Sequence, residues 1–173
     1  MFFFHIIKSF WTTNKVYACI KNSVFNKDVS TNILTTFTSV NDVKSDEITA
    51  VFQTSNNYTL IGNKNGLIII IKPDGSTVNK VDIITDVPVP ANSKKINDFY
   101  EFDGKVYVST QYGISVIKLS NFEIESNFYI GSAGEFIDVL QTTVFNGEIF
   151  AVTRTQGIKK ATLNNPFLYD FSQ

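Results

Sequence analysis

Side-chain chemistry needs acids, bases, nucleophiles or metal ligands held in position, and this chain of 173 residues offers few of them. It has one histidine, His5, one cysteine, Cys19, and one arginine, Arg154. One His and one Cys cannot assemble a zinc site of Cys and His ligands. Asp42, Asp46 and Glu47 lack the alternating oxygen-ligand spacing of a calcium loop. Gly131-Ser132-Ala133-Gly134 has the look of a phosphate-cradling loop but reads better as a link between two sheets. A single guanidinium rules out a clamp of several arginines on phosphate or carboxylate. The expectation is therefore no catalytic residue, no metal site and no cofactor, and not an enzyme. The candidates that remain are ligand-binding ones. Asn97, Asp98 and Gln141 fall early in two strands and could present polar groups to a ligand. Their plainer reading is hydrogen bonding to neighbouring strands and water. Lys94 and Lys95 follow the irregular stretch Thr85 to Asn92, which Pro88 and Pro90 stiffen. They could meet an anionic glycan; their plainer reading is an exposed, solvated pair on an ordinary crossover.

The elements that must carry these residues repeat. The dipeptides Thr13-Asn14, Asn56-Asn57, Asp103-Gly104 and Asn146-Gly147 recur about every 45 residues, the period of a β-propeller blade. Each precedes a short apolar strand, and Gly66, Gly113 and Gly157 then mark a second turn; Ser23 stands at that phase in the first repeat. Asp-Gly and Asn-Gly suit the positive φ of a type I′ hairpin. The runs between turns are short and rich in Val, Ile, Tyr, Phe and Thr, which is strand chemistry. Third turns follow at Pro73-Asp74-Gly75 and Ser120-Asn121, and fourth strands are expected over Val78 to Ile84 and Ser126 to Ile130. The fold class expected is all-β: a propeller of about four consecutive four-stranded antiparallel blades, over residues 6–47, 48–95, 96–138 and 139–173. The chain opens at an inner strand, so a segment of a larger propeller is expected. Such sheets bury their faces only against neighbours, which accounts for an aromatic content of 14% as core filling rather than a binding cage.

Charge and hydropathy narrow the partners. Fifteen Lys and Arg against 16 Asp and Glu leave a net charge of −1, without the basic face that nucleic acid requires. No apolar run is long enough for a membrane helix. Cys19 falls inside a strand and reads as packing; Val16-Tyr17-Ala18-Cys19 resembles a lipobox only loosely. The apolar N-terminal stretch is cut by Lys8-Ser9, so no signal peptide is recognised there.

Two resemblances add to this reading. Asp46 to Phe52 with Tyr58 to Leu67 resembles the propeller repeat of two-component regulators. Lys94 to Tyr100, Gly104 to Thr110, Tyr112 to Val116, Gln141 to Phe145 and Gly157 to Pro166 together resemble the N-terminal propeller of the PorZ family of the type IX secretion system. That resemblance runs from about residue 15 to the end. It implies a larger intact protein, with a signal peptide, two seven-bladed propellers and a C-terminal sorting domain. It implies a place in the periplasm or at the cell surface, in an attachment complex with protein partners. There such proteins bring anionic lipopolysaccharide to a sortase-like transpeptidase and are not themselves the catalyst. The alternative is the ligand-binding periplasmic propeller of a hybrid two-component sensor. An enzyme would need a constellation these residues do not contain.

Overall fold

A computed structural model describes residues 8–12, 14–20, 23–37, 47–132 and 134–165. His5, Thr13, Asp42, Asp46 and Pro166 lie outside them. The chain forms four successive antiparallel sheets. Blade 1 contains β1 (Lys8–Trp11), β2 (Lys15–Ile20), β3 (Ser23–Asp28) and β4 (Leu34–Phe37). Blade 2 contains β5 (Ile48–Gln53), β6 (Thr59–Asn63), β7 (Ile68–Ile71) and β8 (Thr77–Lys80). Blade 3 contains β9 (Ile96–Phe102), β10 (Lys105–Thr110), β11 (Gly113–Lys118) and β12 (Ile124–Phe128), and blade 4 contains β13 (Val139–Phe145), β14 (Glu148–Thr153) and β15 (Ile158–Thr162). Strand order in each sheet follows the sequence. The first strands meet one another, β1 against β5, β5 against β9 and β9 against β13, so the sheets stack radially as in a propeller.

The hairpin turns follow from their residues. Asp103 and Gly104 take φ of 49° and 69°, and Asn146 and Gly147 take 50° and 76°, the two positive values of a type I′ turn. The turn of blade 2 is longer, and there only Asn57 is positive, at 66°. At the second turn, Gly113 has φ 144° and a Cβ on it would stand 2.1 Å from the Phe128 carbonyl oxygen. No other residue type fits there without moving the backbone.

A polar side chain closes this second turn in three blades. Asn63 Oδ1 accepts from the N–H groups of Asn65 and Leu67, each at 2.9 Å. Thr110 Oγ1 donates to Gly113 O at 2.9 Å, and Thr153 Oγ1 to Gly157 O at 2.6 Å.

Two fourth strands differ from expectation. The strand expected over Val78 to Ile84 stops at Lys80, and α1 (Asp82–Thr85) follows as a single helical turn. The turn buries Ile83 while Val81 and Ile84 stay exposed, a pattern an alternating strand cannot give here. The strand expected over Ser126 to Ile130 lies two residues earlier, at Ile124–Phe128, because Phe122 takes φ 58° and ends the turn sooner.

The core sits between sheets in three clusters. Tyr17, Cys19 and Val24 pack on Ile48, Val51 and Ile61 between blades 1 and 2. Leu60, Ile70 and Ile83 pack on Ile96, Phe99 and Val106 between blades 2 and 3. Tyr107, Ile114 and Val116 pack on Val139, Val144 and Ile149 between blades 3 and 4. Each such aliphatic side chain contributes roughly 1.5–3 kcal/mol on full burial. Cys19 is fully buried there, so packing is its role.

Candidate functional site

The first strand of each of blades 2, 3 and 4 carries a bulge one residue after its start. The register skips Thr49 in β5, Asn97 in β9 and Leu140 in β13. A bulged residue is re-aimed out of the ladder, and in two blades it reaches the next blade. Thr49 Oγ1 donates to Ile96 O at 2.6 Å, and Asn97 Nδ2 donates to Val139 O at 2.8 Å. Ile96 and Val139 open their respective inner strands, so this is one inter-blade bond used twice. Leu140 has no donor to continue it.

Around this bond, at the head of blades 3 and 4, lies the most concentrated polar cluster on the inner strands. Asn97 Nδ2 also donates to Asp138 Oδ1 at 2.6 Å, while Arg154 Nε donates to Asp138 Oδ2 at 2.5 Å. Arg154 N donates to Asp138 O at 2.8 Å, fixing the two residues side by side. The Asp138 side chain is 19% exposed and that of Arg154 56%. The carboxylate is thus shielded and satisfied from both sides, and the guanidinium keeps a solvent-facing edge. That edge can take a carboxylate or phosphate oxygen through charge-assisted hydrogen bonds. The same phase in blade 2 holds Glu47 and Lys64, joined by Lys64 N to Glu47 O at 3.1 Å and by an ion pair at 3.3 Å. In blade 3 it holds Lys95 and Gln111, joined only by Gln111 N to Lys95 O at 3.0 Å.

The five sequence candidates are only partly brought together. Asn97 and Asp98 are half-buried on β9, and Lys95 is half-buried immediately before it. Asn97 does what its plainer reading asked: it binds the neighbouring inner strand. Gln141 is exposed beside Val152, while Thr142 and Val144 of the same strand are buried against blade 3. It therefore sits on the opposite face of blade 4 from Asn97. Lys94 corrects the expectation of an exposed pair. It is 5% exposed, and its Nζ donates to Ile84 O at 2.6 Å and Val87 O at 2.9 Å. A buried ammonium is tolerated only when its protons are taken up, and here the carbonyls of the crossover take them. Lys94 thereby ties down the stretch whose Val87 and Val89 enter the core.

Sequence reasoning noted Arg154 but not its pairing with Asp138. The signal lay in the repeat: an acid precedes the inner strand and a base follows the second strand in blades 2 and 4. The cluster of Asn97, Asp138 and Arg154 at the head of blades 3 and 4, hereafter the mouth, holds no nucleophile–base pair among its members. Among the described residues, no three of His, Cys, Asp and Glu converge in a way that could hold a metal ion. Among the described residues, no helix is long and apolar enough to cross a membrane.

Solved structures share this fold. The PorZ structure from Porphyromonas gingivalis, described as an essential bacterial surface component of the type IX secretion system, superposes with a TM-score of 0.77 at 14% identity. The match covers 98% of this chain and 22% of that one, so the chain spans about a fifth of PorZ. The extracellular domain of the putative hybrid two-component system BT4673 from B. thetaiotaomicron gives 0.71 at 17% identity, over 91% of this chain and 21% of that one. The computationally designed Ika4 protein gives 0.67 at 13% identity, over 92% and 91%. At these identities the likeness shows the fold. No curated protein matches the chain. The family is shown by sequence: the PorZ N-terminal β-propeller domain of the type IX secretion system matches residues 16–173, and the chain belongs to that family.

Proposed function

We propose that the chain is a non-catalytic scaffold and binding module of a type IX secretion attachment complex, at the periplasmic or outer face of the cell. In the intact protein it helps bring anionic lipopolysaccharide to the sortase that links it to cargo. The observation that carries this reading is the family match over residues 16–173. The geometry at the head of blades 3 and 4 supports a binding role. Asp138 is held between Asn97 and Arg154, while the outer edge of Arg154 faces solvent and can meet an anionic group.

The test is retention of purified lipopolysaccharide on the immobilised chain. Anionic lipopolysaccharide is expected to be held at low salt and released as salt rises, and Arg154→Ala is expected to weaken retention severalfold. Equal retention of neutral lipopolysaccharide, or none of either, would overturn the glycolipid role. The likeness to BT4673 favours a second reading, an oligosaccharide-sensing propeller. It requires the continuation of the gene to encode a membrane helix and a kinase rather than a second propeller.

A further inference from the structure

Away from the mouth, at the first-turn end of blades 1 and 2, two adjoining cavities of about 300 and 470 Å³ share Lys15, Gln53 and Asn57. Such volumes suit a small polar ligand. The floor of the smaller cavity is polar. Asn26 is 5% exposed, lines this cavity, and its side-chain amide makes no hydrogen bond among the described residues. The amide is not sealed off but opens onto the cavity, so its donors and its acceptor are offered to whatever fills it.

The repeat supplies an internal control. Asn26 pairs with Tyr17 across β2 and β3, as Val116 pairs with Tyr107 and Ile70 with Leu60. Blades 2 and 3 thus place an aliphatic side chain at this position, each about 2% exposed, while blade 4 has the exposed Lys160 opposite Phe150. The corresponding cleft between blades 3 and 4 also has its lysine and tyrosine, Lys105 and Tyr107, but shrinks to about 150 Å³. Its floor is Val116, and Lys105 is bound to Glu125 at 2.7 Å. Among the described residues no carboxylate lies within ion-pair distance of Lys15. The blade 1–2 cleft therefore keeps an amide floor where its smaller counterpart has Val116, and its Lys15 lacks, among the described residues, the carboxylate partner that Lys105 has in Glu125.

We infer that the cleft between blades 1 and 2 is a binding site for a neutral sugar unit, with Asn26 at its base and Gln53, Asn57 and Lys15 around it. The donor set selects the ligand class. An amide offers both donors and an acceptor, and each sugar hydroxyl is likewise donor and acceptor, so adjacent hydroxyls match amides two by two. Lys15 and Lys72 line the smaller cavity, and the adjoining one holds the Asp28 carboxylate, which keeps its charge because the Ser30 and Thr31 N–H groups and the Ser30 hydroxyl donate to it; charge of both signs therefore faces the groove, and the amides set the ligand class. Phe37 and Pro73 offer apolar surface to the C–H face of a ring. The larger cavity extends the groove toward Thr12 and Asn14, leaving room for a second unit.

This site is independent of the glycolipid reading: retention through Arg154 can succeed or fail whatever happens at Asn26. The experiment titrates the full chain with glucose, galactose, mannose and N-acetylglucosamine and follows the side-chain amide resonances of Asn26, Gln53 and Asn57 by NMR. At least one sugar is expected to shift all three. Asn26→Val, which copies the residue of blade 3, is expected to weaken that sugar about tenfold or more while the chain stays folded. Gln53→Ala, at a half-buried rim position, is expected to weaken it severalfold, and serves alone if the Asn26 variant does not fold. Gln141→Ala, on the far face of blade 4, leaves it unchanged. The inference is overturned if none of the four sugars moves the three amides, or if the folded Asn26 variant, or the Gln53 variant in its place, binds as the parent does.

Discussion

Blades 3 and 4 run the same sequence plan past the same second turn: Gly113-Ile114 in one, Gly157-Ile158 in the other. Ile114 is 1% exposed and Ile158 69%. A Cβ on Gly113 would collide with the Phe128 carbonyl, while one on Gly157 meets nothing within 4 Å. The difference is not in the strands. Blade 3 has a sheet against each face, and β11 is buried along nearly its whole length; β15 alternates between half-buried and exposed positions. Local chemistry makes a blade, but its neighbours decide how much each residue matters, as expected where repeats are stabilised mainly across their interfaces.

The sharpest test substitutes the two glycines. Both have positive φ, 144° and 71°, so both alanine variants carry backbone strain of about 1–3 kcal/mol. Only Gly113→Ala adds a backbone clash, bringing the expected loss to roughly 4 kcal/mol. Gly157→Ala is expected to stay near 1 kcal/mol. Urea midpoints of the two variants measure the gap, and equal losses would break the comparison. Next in size are the isoleucines that follow. Ile114→Ala should cost about 2–5 kcal/mol through a cavity between blades 3 and 4, whereas Ile158→Ala should stay within about 0.5 kcal/mol. The same unfolding measurement decides both.

Alkaline pH probes blade 3 by another route. Burial pushes the Tyr112 phenol up from 10.0 to about 12, against the smaller opposing effect of its hydrogen bond with Ser115. A raised folded value means the unfolded chain releases this proton first. The contribution of Tyr112 is complete below pH 10 and is lost as pH rises toward 12, a fall of about 2–3 kcal/mol. Tyr112→Phe is expected to flatten that part of the stability profile. A slope that survives the substitution would assign the effect elsewhere, for instance to Tyr17 or Tyr107, whose phenols burial also raises.

The parts of this structure that were legible in sequence are those fixed by local backbone demands. Asp103-Gly104 and Asn146-Gly147 needed positive φ and took it. The period then placed the strands, and the secretion-system resemblance followed from residues those strands carry. What stayed hidden depends on what a residue meets in space. Nothing in Ser93-Lys94-Lys95 says that one lysine turns inward; the Ile84 and Val87 carbonyls that receive it belong to a crossover shaped by the burial of Ile83. Asn97 was visible as polar and early in its strand, but its bulge and its bond to Val139 needed the register. Asn26 drew no notice because an asparagine in an alternating strand looks solvent-facing, and only pairing with Tyr17 shows it turned toward blade 2.

The smallest effect tests whether the three blades share one turn device. Asn63, Thr110 and Thr153 occupy the same phase, but the two threonines use a hydroxyl that both donates and accepts. Asn63 accepts twice through Oδ1 and leaves its Nδ2 buried without a partner, in a residue 2% exposed. An unmade hydrogen bond at a buried donor is costly, whereas a group that is absent costs nothing. Asn63→Thr keeps an acceptor for the turn, gains a donor for the Leu67 carbonyl that already receives Asn63 N at 3.1 Å, and removes the orphan. The variant is expected to be more stable by about 1 kcal/mol, read as a rise in urea midpoint at unchanged slope. A loss of stability instead would mean that blade 2 needs both amide-accepted bonds, so that its turn is a separate solution and not the one its neighbours use.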